Sequence, residues 1–176
     1  ELAVLEYAAY KKGEIKHLSQ TYPPEIGIIT GLTDQHLAIF GSRDNIVQAK
    51  SELVKAVDKD HPVFINGQDP GTRLIARAGH AQTIIDYSGP FSKIQVSQVS
   101  LNQDGELSFE WKNQLIQTKL IGRHYLSSCR AAIAVCQYLD LSKNQIIAGL
   151  NSFQPTDYLI QIKAADSEAK IIDDGR

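Results

Sequence analysis

The sequence predicts an α/β fold, a mostly parallel sheet flanked by helices with a small antiparallel β insert. Short, continuously apolar runs alternate with helical segments in the first half, as expected for parallel strands covered on both faces. Further along, the runs become alternating and β-rich around a turn signal, NQDGE, which predicts the antiparallel insert. With 176 residues and 43% hydrophobic content, the chain can bury a core.

The first half is predicted to hold three buried strands, each followed by a helix. The predicted strands are 2–7, 25–30 and 62–66. The predicted helices are 13–22, ended by Pro23, a second from Asp44 as its N-cap, and 70–79, closed by Gly79. The insert follows at about 82–122. Two helices at about 124–139 and 142–152 and two final strands, YLIQIK and AKIIDD, complete the prediction.

Composition excludes several classes of protein. The 18 basic and 20 acidic residues nearly balance, so no nucleic-acid partner is indicated. No apolar run approaches the ~18 residues that a membrane span needs. Cys129 and Cys136 lie seven residues apart in one predicted helix, too far to bridge, and favour a reducing, cytoplasmic location. The chain contains no methionine, and we expect it to be a fragment.

Polar side chains follow the ends of the predicted parallel strands, where open α/β sheets bind ligands. They are Glu6, then Thr33, Asp34, Gln35 and His36, then Asn66 and Asp69, and finally Asp173 and Asp174. Oxygen ligands with one imidazole suit Mg²⁺ or Mn²⁺ with phosphates better than a structural zinc. The pattern predicts a shared site at this edge, although polar strand ends also occur without a ligand.

Lys50 lies in the apolar stripe of the helix predicted from Asp44. At about 100° per residue, Ile46 and Leu53 flank it, whereas Ser51 falls on the polar side. Lys50 either runs its methylenes along the apolar surface with its ammonium in water, or loses its charge by desolvation. A neutral amine can add CO₂ to give a carbamate, an anionic metal ligand. Composition leaves both interpretations open.

Five segments match the motifs of one enzyme family. VLEYAAYKKGEIKHL matches "vlEmGa…GEI", and IITGLTDQHLAIFGSRDNIVQAKSEL matches "vitNigxaHLexFGSxenIaxAKxE". VFINGQDP resembles "vlNaDDp", LIGRHYLSSCRAAIAVCQYL resembles "xxGxHNvxNaxAAiAvA", and KIIDD resembles the start of "iiDDsYNaNP". The chain thus resembles the Mur ligase family, ATP-dependent amide ligases that build the peptide stem of bacterial peptidoglycan. Within the family, the likeness is greatest to the members that add D-alanyl-D-alanine.

The resemblance implies cofactors, substrates and metal ligands. ATP and Mg²⁺ would activate a carboxylate of a UDP-MurNAc-peptide as an acyl phosphate, and the amine of D-Ala-D-Ala would attack it. Glu6 and His36 match the Mg²⁺ ligands, and His36 and Lys50 match the catalytic positions. Lys50 would become carbamylated and help to bind a second Mg²⁺.

The resemblance also implies contacts with the nucleotide. Asn66 would lie near the adenine, with Asp69 beside it, and Asp173 or Asp174 would lie near the nucleotide at a domain junction. His124, at a helix start, either approaches a phosphate or caps the helix.

The implied domains are a partial central ATP-binding domain at 1–163, with the insert at about 82–122, and the start of a C-terminal ligase domain at 164–176. The phosphate loop, G-x-x-G-K-[ST], and the first strands of the sheet are not in the sequence. We therefore expect an exposed sheet edge that favours self-association, and a fragment that is inactive alone.

Two alternatives stay open, and departures from the motifs favour the first. Ala8 replaces a motif glycine, Tyr125 replaces the "HN" asparagine, and an arginine usual near Tyr158 is missing. One alternative is a degenerate Mur-ligase-like domain kept for binding or scaffolding. The other is a different ATP-dependent amide ligase, of the cyanophycin or folylpolyglutamate type.

Overall fold

The computed structural model describes residues 2–33, 37–156, 161–164 and 170–173, the last two ranges by backbone alone. The chain forms two compact units, one up to Lys93 and one from Ile94. The first contains α1 (Glu14–Thr21), β1 (Gly27–Ile29), α2 (Leu37–Phe40), α3 (Arg43–Ala56), β2 (Pro62–Ile65), α4 (Pro70–Ala78) and β3 (Thr83–Asp86). The second contains β4 (Val96–Leu101), β5 (Glu106–Trp111), β6 (Gln114–Ile121), a 3₁₀ turn (Arg123–Tyr125), α5 (Leu126–Tyr138), α6 (Lys143–Ser152), β7 (Gln161–Ala164) and β8 (Lys170–Asp173).

The first unit is built on a parallel sheet in the order β1-β2-β3. The central strand, β2, is buried along its whole length, as its unbroken apolar sequence predicts. One face of the sheet packs against α3 and α4 through a single apolar cluster. Its buried members are Ile29, Leu32, Ile46, Val54, Val57, Val63, Ile65, Ile75 and Ala76.

Two details of α3 differ from the prediction. The N-cap is Ser42, whose hydroxyl accepts a hydrogen bond from the Asn45 amide at 3.2 Å, and Asp44 lies in the first turn. Ser51, expected on the polar side, is fully buried. Its hydroxyl donates to the Gln48 carbonyl at 2.7 Å within the same helix, so that burial leaves no unsatisfied polar group.

The predicted strand at 2–7 is wrong. These residues have no regular structure, and Leu2 and Val4 are 69% and 83% exposed. An apolar run becomes a strand only where a neighbouring strand pairs its backbone groups, and none of the described strands pairs with it.

The boundary of the predicted insert is also corrected. Thr83–Asp86 belongs to the parallel sheet, where β3 pairs with β2 from Pro62↔Thr83 to Ile65↔Asp86. Its first two residues are exposed, so its mixed polar pattern resembles that of a half-solvated antiparallel strand. The antiparallel sheet consists of β4, β5 and β6.

The second unit packs the inner face of this antiparallel sheet around buried side chains, among them Leu107, Phe109 and Trp111. The NQDGE turn is confirmed, because the Asn102 side chain accepts hydrogen bonds from the amides of Asp104 and Glu106, each at 2.9 Å.

The last elements of the second unit follow the prediction closely. α6 begins with a capping box, in which the side chains of Ser142 and Gln145 each bond the other residue's backbone amide. Cys129 is buried in α5, and both Cys129 and Cys136 are free thiols, as expected. β7 and β8 pair antiparallel, and the expected boundary at 163/164, which stays a prediction, falls within β7.

Candidate functional site

The carboxyl ends of β1, β2 and β3 lie at one edge of the parallel sheet, as the strand-end rule requires. The segments that leave this edge are 30–33, 66–69 and 87–89. Side chains of Asn66, Asp69 and Asp86 join them through hydrogen bonds, so the three strand ends form one connected polar edge.

Asn66, the first residue after β2, bridges both neighbouring strand ends. Its side-chain Nδ2 donates to the Thr30 carbonyl at 3.1 Å. Its Oδ1 accepts a hydrogen bond from the Ser88 hydroxyl and another from the Gln68 amide, the latter at 3.2 Å. Among the described residues, the second Nδ2 hydrogen has no acceptor. Asn66 therefore combines a fixed carboxamide with one donor available to a ligand.

Asp69 is the N-cap of α4 and holds the neighbouring loop against that helix. One carboxylate oxygen accepts from the Gly71 amide at 2.8 Å, and the other accepts from the Leu32 amide at 2.6 Å. The Thr72 hydroxyl, fully buried, donates to the carbonyls of Asn66 and Asp69 at 2.8 and 2.9 Å. Through its two carboxylate bonds, Asp69 stabilises the start of α4 and the loop after β1. The nucleotide contact expected from the sequence stays a prediction.

Asp86 is a site residue that the sequence prediction missed. Its Oδ1 accepts hydrogen bonds from the amides of Gly67, Ser88 and Gly89 at 3.1, 3.1 and 2.7 Å. Its Oδ2 pairs with the Arg73 guanidinium at 2.9 Å, and its side chain is only 6% exposed. A parallel-strand assignment of 83–86 would have marked Asp86 as a strand-end carboxylate.

Two glycines make room for this carboxylate. A Cβ on Gly67 would lie 2.0 Å from an Asp86 carboxylate oxygen, and a Cβ on Gly89 would lie 2.4 Å from it. The Arg73 guanidinium also lies over the ring of Phe91, 5.5 Å from its centroid. Phe91 is 78% exposed, so a cation and an aromatic face lie at the surface beside the buried ion pair.

The residues expected to bind metal are placed only in part. Glu6 is exposed in the irregular N-terminal segment, and Lys50 is half-buried in α3. His36 lies outside the described residues, together with Asp34 and Gln35. Within the described residues, no group of three or more His, Cys, Asp or Glu side chains is arranged to hold a metal ion.

The expected nucleotide contacts in the second unit are described separately. His124 is exposed in the 3₁₀ turn, with its ring centroid 4.1 Å from that of Tyr125. Neither this turn nor α5 has a side-chain cap, so the capping alternative for His124 is wrong. Asp173 ends β8, where only the backbone is described, and Asp174 lies outside the described residues.

No helix among the described residues is both long and apolar enough to cross a membrane.

The donors at the polar edge fit a nucleobase better than a metal ion. The free Nδ2 hydrogen of Asn66 matches a ring nitrogen, whereas the Asp69 and Asp86 carboxylates already accept backbone amide hydrogens.

The chain is similar in sequence to known proteins. The profile of the Mur ligase middle domain matches residues 1–136. The UDP-N-acetylmuramoyl-tripeptide–D-alanyl-D-alanine ligase of Bacillus subtilis (strain 168) is 28% identical over 175 residues, 99% of this chain. Its counterpart in Mycobacterium tuberculosis (strain H37Rv) is 28% identical over 176 residues, 97% of this chain. The chain spans only 38% and 34% of these relatives' lengths.

Solved structures confirm the predicted fold class. MurF from Acinetobacter baumannii superimposes with a TM-score of 0.83 at 24% identity, over 94% of this chain and 37% of that one. MurF ligase from Thermotoga maritima, solved in complex with ADP, gives 0.73 at 21% identity, over 91% of this chain and 38% of that one.

Proposed function

Because the chain belongs to the Mur ligase family, whose middle-domain profile covers residues 1–136, we propose that it forms the nucleotide-binding part of an ATP-dependent amide ligase. The ligase acts in peptidoglycan precursor synthesis and adds D-Ala-D-Ala to a UDP-MurNAc-peptide. This choice of substrates is supported by the relatives named for that reaction, which match 97–99% of the chain.

The observation that carries the proposal is the polar edge around Asn66, at the position where open α/β sheets bind ligands. When bound, ATP supplies the phosphoryl group that activates a substrate carboxylate, and the resulting acyl phosphate is open to attack by an amine. Asn66 donates its free Nδ2 hydrogen to the adenine ring. Asp69 keeps the loop after β1 in place by accepting the Leu32 amide.

Metal-binding roles rest on the matching motif positions. Glu6 and His36 would hold Mg²⁺, and Lys50, as its carbamate, would supply a further anionic ligand. In that reaction the neutral amine of Lys50 would attack CO₂. An N–C bond would form while one C=O π bond breaks, its electron pair would move to the oxygen, and the nitrogen would release one proton. Lys50 is half-buried in α3, one helical turn after the buried Ile46. For His124, Asp173 and Asp174, the nucleotide contacts are proposed from the sequence alone.

The setting proposed for this ligase is the cytoplasm, where its nucleotide substrates are made and where the two free cysteines stay reduced. The domain boundary at 163/164 separates the ATP-binding part from the start of the C-terminal ligase domain.

Self-association through a sheet edge is supported by Ile84 of β3, which is 43% exposed on an outer strand of the three-stranded sheet. Light scattering at high concentration tests it, and a monodisperse monomer would contradict it.

The experiment uses the product of the complete gene that contains this chain. ATP binding is measured by calorimetry in Mg²⁺ and bicarbonate, and phosphate release is measured with UDP-MurNAc-tripeptide and D-Ala-D-Ala. We expect Lys50→Ala to lose most activity and Lys55→Ala, an exposed lysine of the same helix, to keep it. Equal activity of the two variants would contradict the role of Lys50.

A degenerate binding domain is the second candidate, and Tyr125 is the observation that favours it. Tyr125 stands where the family motif has an asparagine that contacts the nucleotide, and it is half-buried beside His124. A gene product that carries a phosphate loop but binds no ATP would establish this alternative. Activity with a folate or an acidic peptide instead of the UDP-MurNAc-peptide would point to the other branch of the superfamily.

A further inference from the structure

We propose that Ser88 is a positioning residue that fixes the carboxamide of Asn66, so that the site offers the nucleobase an N–H donor and not a carbonyl acceptor. The inference deepens the proposed function and rests on it, because it concerns how the same edge recognises adenine. Ser88 is part of no motif discussed above, and it is 3% exposed, two residues after the end of β3.

The hydrogen bonds around Asn66 determine which way its carboxamide faces. The Gln68 amide can only donate, and it points at Oδ1 from 3.2 Å. The Thr30 carbonyl can only accept, and it lies 3.1 Å from Nδ2. If the carboxamide were flipped, Nδ2 would face the Gln68 amide, which is also a donor, and Oδ1 would face the Thr30 carbonyl, which is also an acceptor. The Ser88 hydroxyl adds a second donor to Oδ1, so the oxygen is fully used.

Ser88 is itself held in place by Asp86. The Asp86 carboxylate accepts from the Ser88 amide and from the amide of Gly67, so one side chain ties the loop after β3 to the loop after β2. Arg73 anchors the other carboxylate oxygen at 2.9 Å. The Ser88 hydroxyl therefore bonds Asn66 from a backbone that is itself held in place. Because the Asn66 side chain is already ordered, less conformational entropy is lost when its Nδ2 hydrogen binds a ligand.

The chemistry of the remaining donor defines what it recognises. A single N–H pairs with an unprotonated ring nitrogen of a purine and cannot accept from the exocyclic amino group. Binding through Asn66 should therefore depend on one ring nitrogen of the adenine. The N6 amino group should contribute nothing through Asn66.

The test compares Ser88→Ala with Ser100→Ala in the complete gene product. Ser100 is an exposed serine in the antiparallel sheet whose hydroxyl bonds that of Ser108 at 2.9 Å, so its loss removes a similar bond elsewhere. Dissociation constants are measured for ADP, for its 1-, 3- and 7-deaza analogues, and for purine riboside diphosphate, which lacks the amino group. Asn66→Ala and its combination with Ser88→Ala complete a double-mutant cycle.

We expect Ser88→Ala to weaken ADP binding about fivefold, the effect of one neutral hydrogen bond, and Ser100→Ala to change it less than twofold. The Ser88→Ala effect should vanish on one deaza analogue and in the Asn66→Ala background, and should persist with the riboside analogue. A purely structural role would weaken all ligands equally. Unchanged ADP binding in Ser88→Ala, with weaker binding in Asn66→Ala, would overturn the inference.

A ligand-free measurement separates this inference from the proposed function. In the wild-type protein, the side-chain amide of Asn66 should give two sharp proton resonances, one of which, bonded to Thr30, exchanges slowly with solvent. Ser88→Ala should broaden both resonances and speed that exchange. If the wild-type protein binds no ADP, the proposed function fails, and these resonances still decide whether Ser88 fixes Asn66.

Discussion

Replacing Asp86 by alanine should destabilise the first unit more than any other single change at the polar edge. The substitution removes the acceptor of three backbone amides, those of Gly67, Ser88 and Gly89, and the ion-pair partner of Arg73. These four hydrogen bonds connect the ends of β2 and β3 with α4. Because the carboxylate side chain is 6% exposed, water does not replace it without rearrangement of the loops.

The size of the stability loss in Asp86→Ala follows from the amides and the guanidinium that lose their acceptor. A buried donor that loses its acceptor costs about 1–3 kcal/mol. The two glycines are half-buried and can regain water, so the lower end applies to their amides. Ser88 is 3% exposed, so the full range applies to its amide, which gives roughly 3–5 kcal/mol for the three amides. Arg73 is 36% exposed and keeps much of its hydration, which adds little. Asp86→Asn keeps an oxygen for the amides but turns an NH₂ towards Arg73, and should cost about 1–2 kcal/mol.

Hydrogen exchange of the peptides that contain 66–72 and 86–92 reports the local opening free energy directly. Urea unfolding of the same variants gives the global value. Asp60→Ala, which removes an exposed carboxylate after α3, serves as the control and should change stability by no more than about 0.5 kcal/mol. A loss below about 1 kcal/mol in Asp86→Ala, or equal losses in all three variants, would refute the reasoning.

Three further changes test other parts of the structure. Ser142→Ala breaks the capping box of α6 and should cost about 1 kcal/mol in urea unfolding. Gly67→Ala places a methyl 2.0 Å from the Asp86 carboxylate and should cost about 1–3 kcal/mol, whereas Gly149→Ala, with open space in α6, should gain up to about 1 kcal/mol. Burial raises the pKa of the Cys129 thiol from 9.0 to about 11. The unfolded thiol ionises first, so stability should fall between pH 9 and pH 11 in the wild-type protein and less steeply in Cys129→Ala.

The sequence predicted the elements whose signals are local. The three helices of the first half, the NQDGE turn and the cap of α6 depend on neighbouring residues and are confirmed. Asn66 and Asp69 were predicted at the sheet edge because continuous apolar strands indicate a parallel sheet. The structure places both there, but it also shows Asp69 bonded to the Leu32 amide, a partner 37 residues away.

What the sequence could not predict depends on pairing between distant segments. The run at 2–7 is as apolar as a buried strand, but its structure depends on a partner for its backbone. Asp86 was overlooked because an exposed outer strand has the polar pattern of an antiparallel one. Ser51 was placed on the polar face because the wheel cannot show that Gly79, after α4, packs against this turn of α3.

The hydrogen bonds of the polar edge also constrain how the protein folds. Those that connect different strand ends join residues separated by 19 to 37 positions, from Gly67–Asp86 to Leu32–Asp69. Closing such loops costs chain entropy before any bond forms, so nonlocal contacts arise late on the folding pathway. A ribosome-bound chain therefore cannot complete the edge until Asp86 and Ser88 have left the exit tunnel. Mutations there should speed unfolding while leaving the folding rate nearly unchanged.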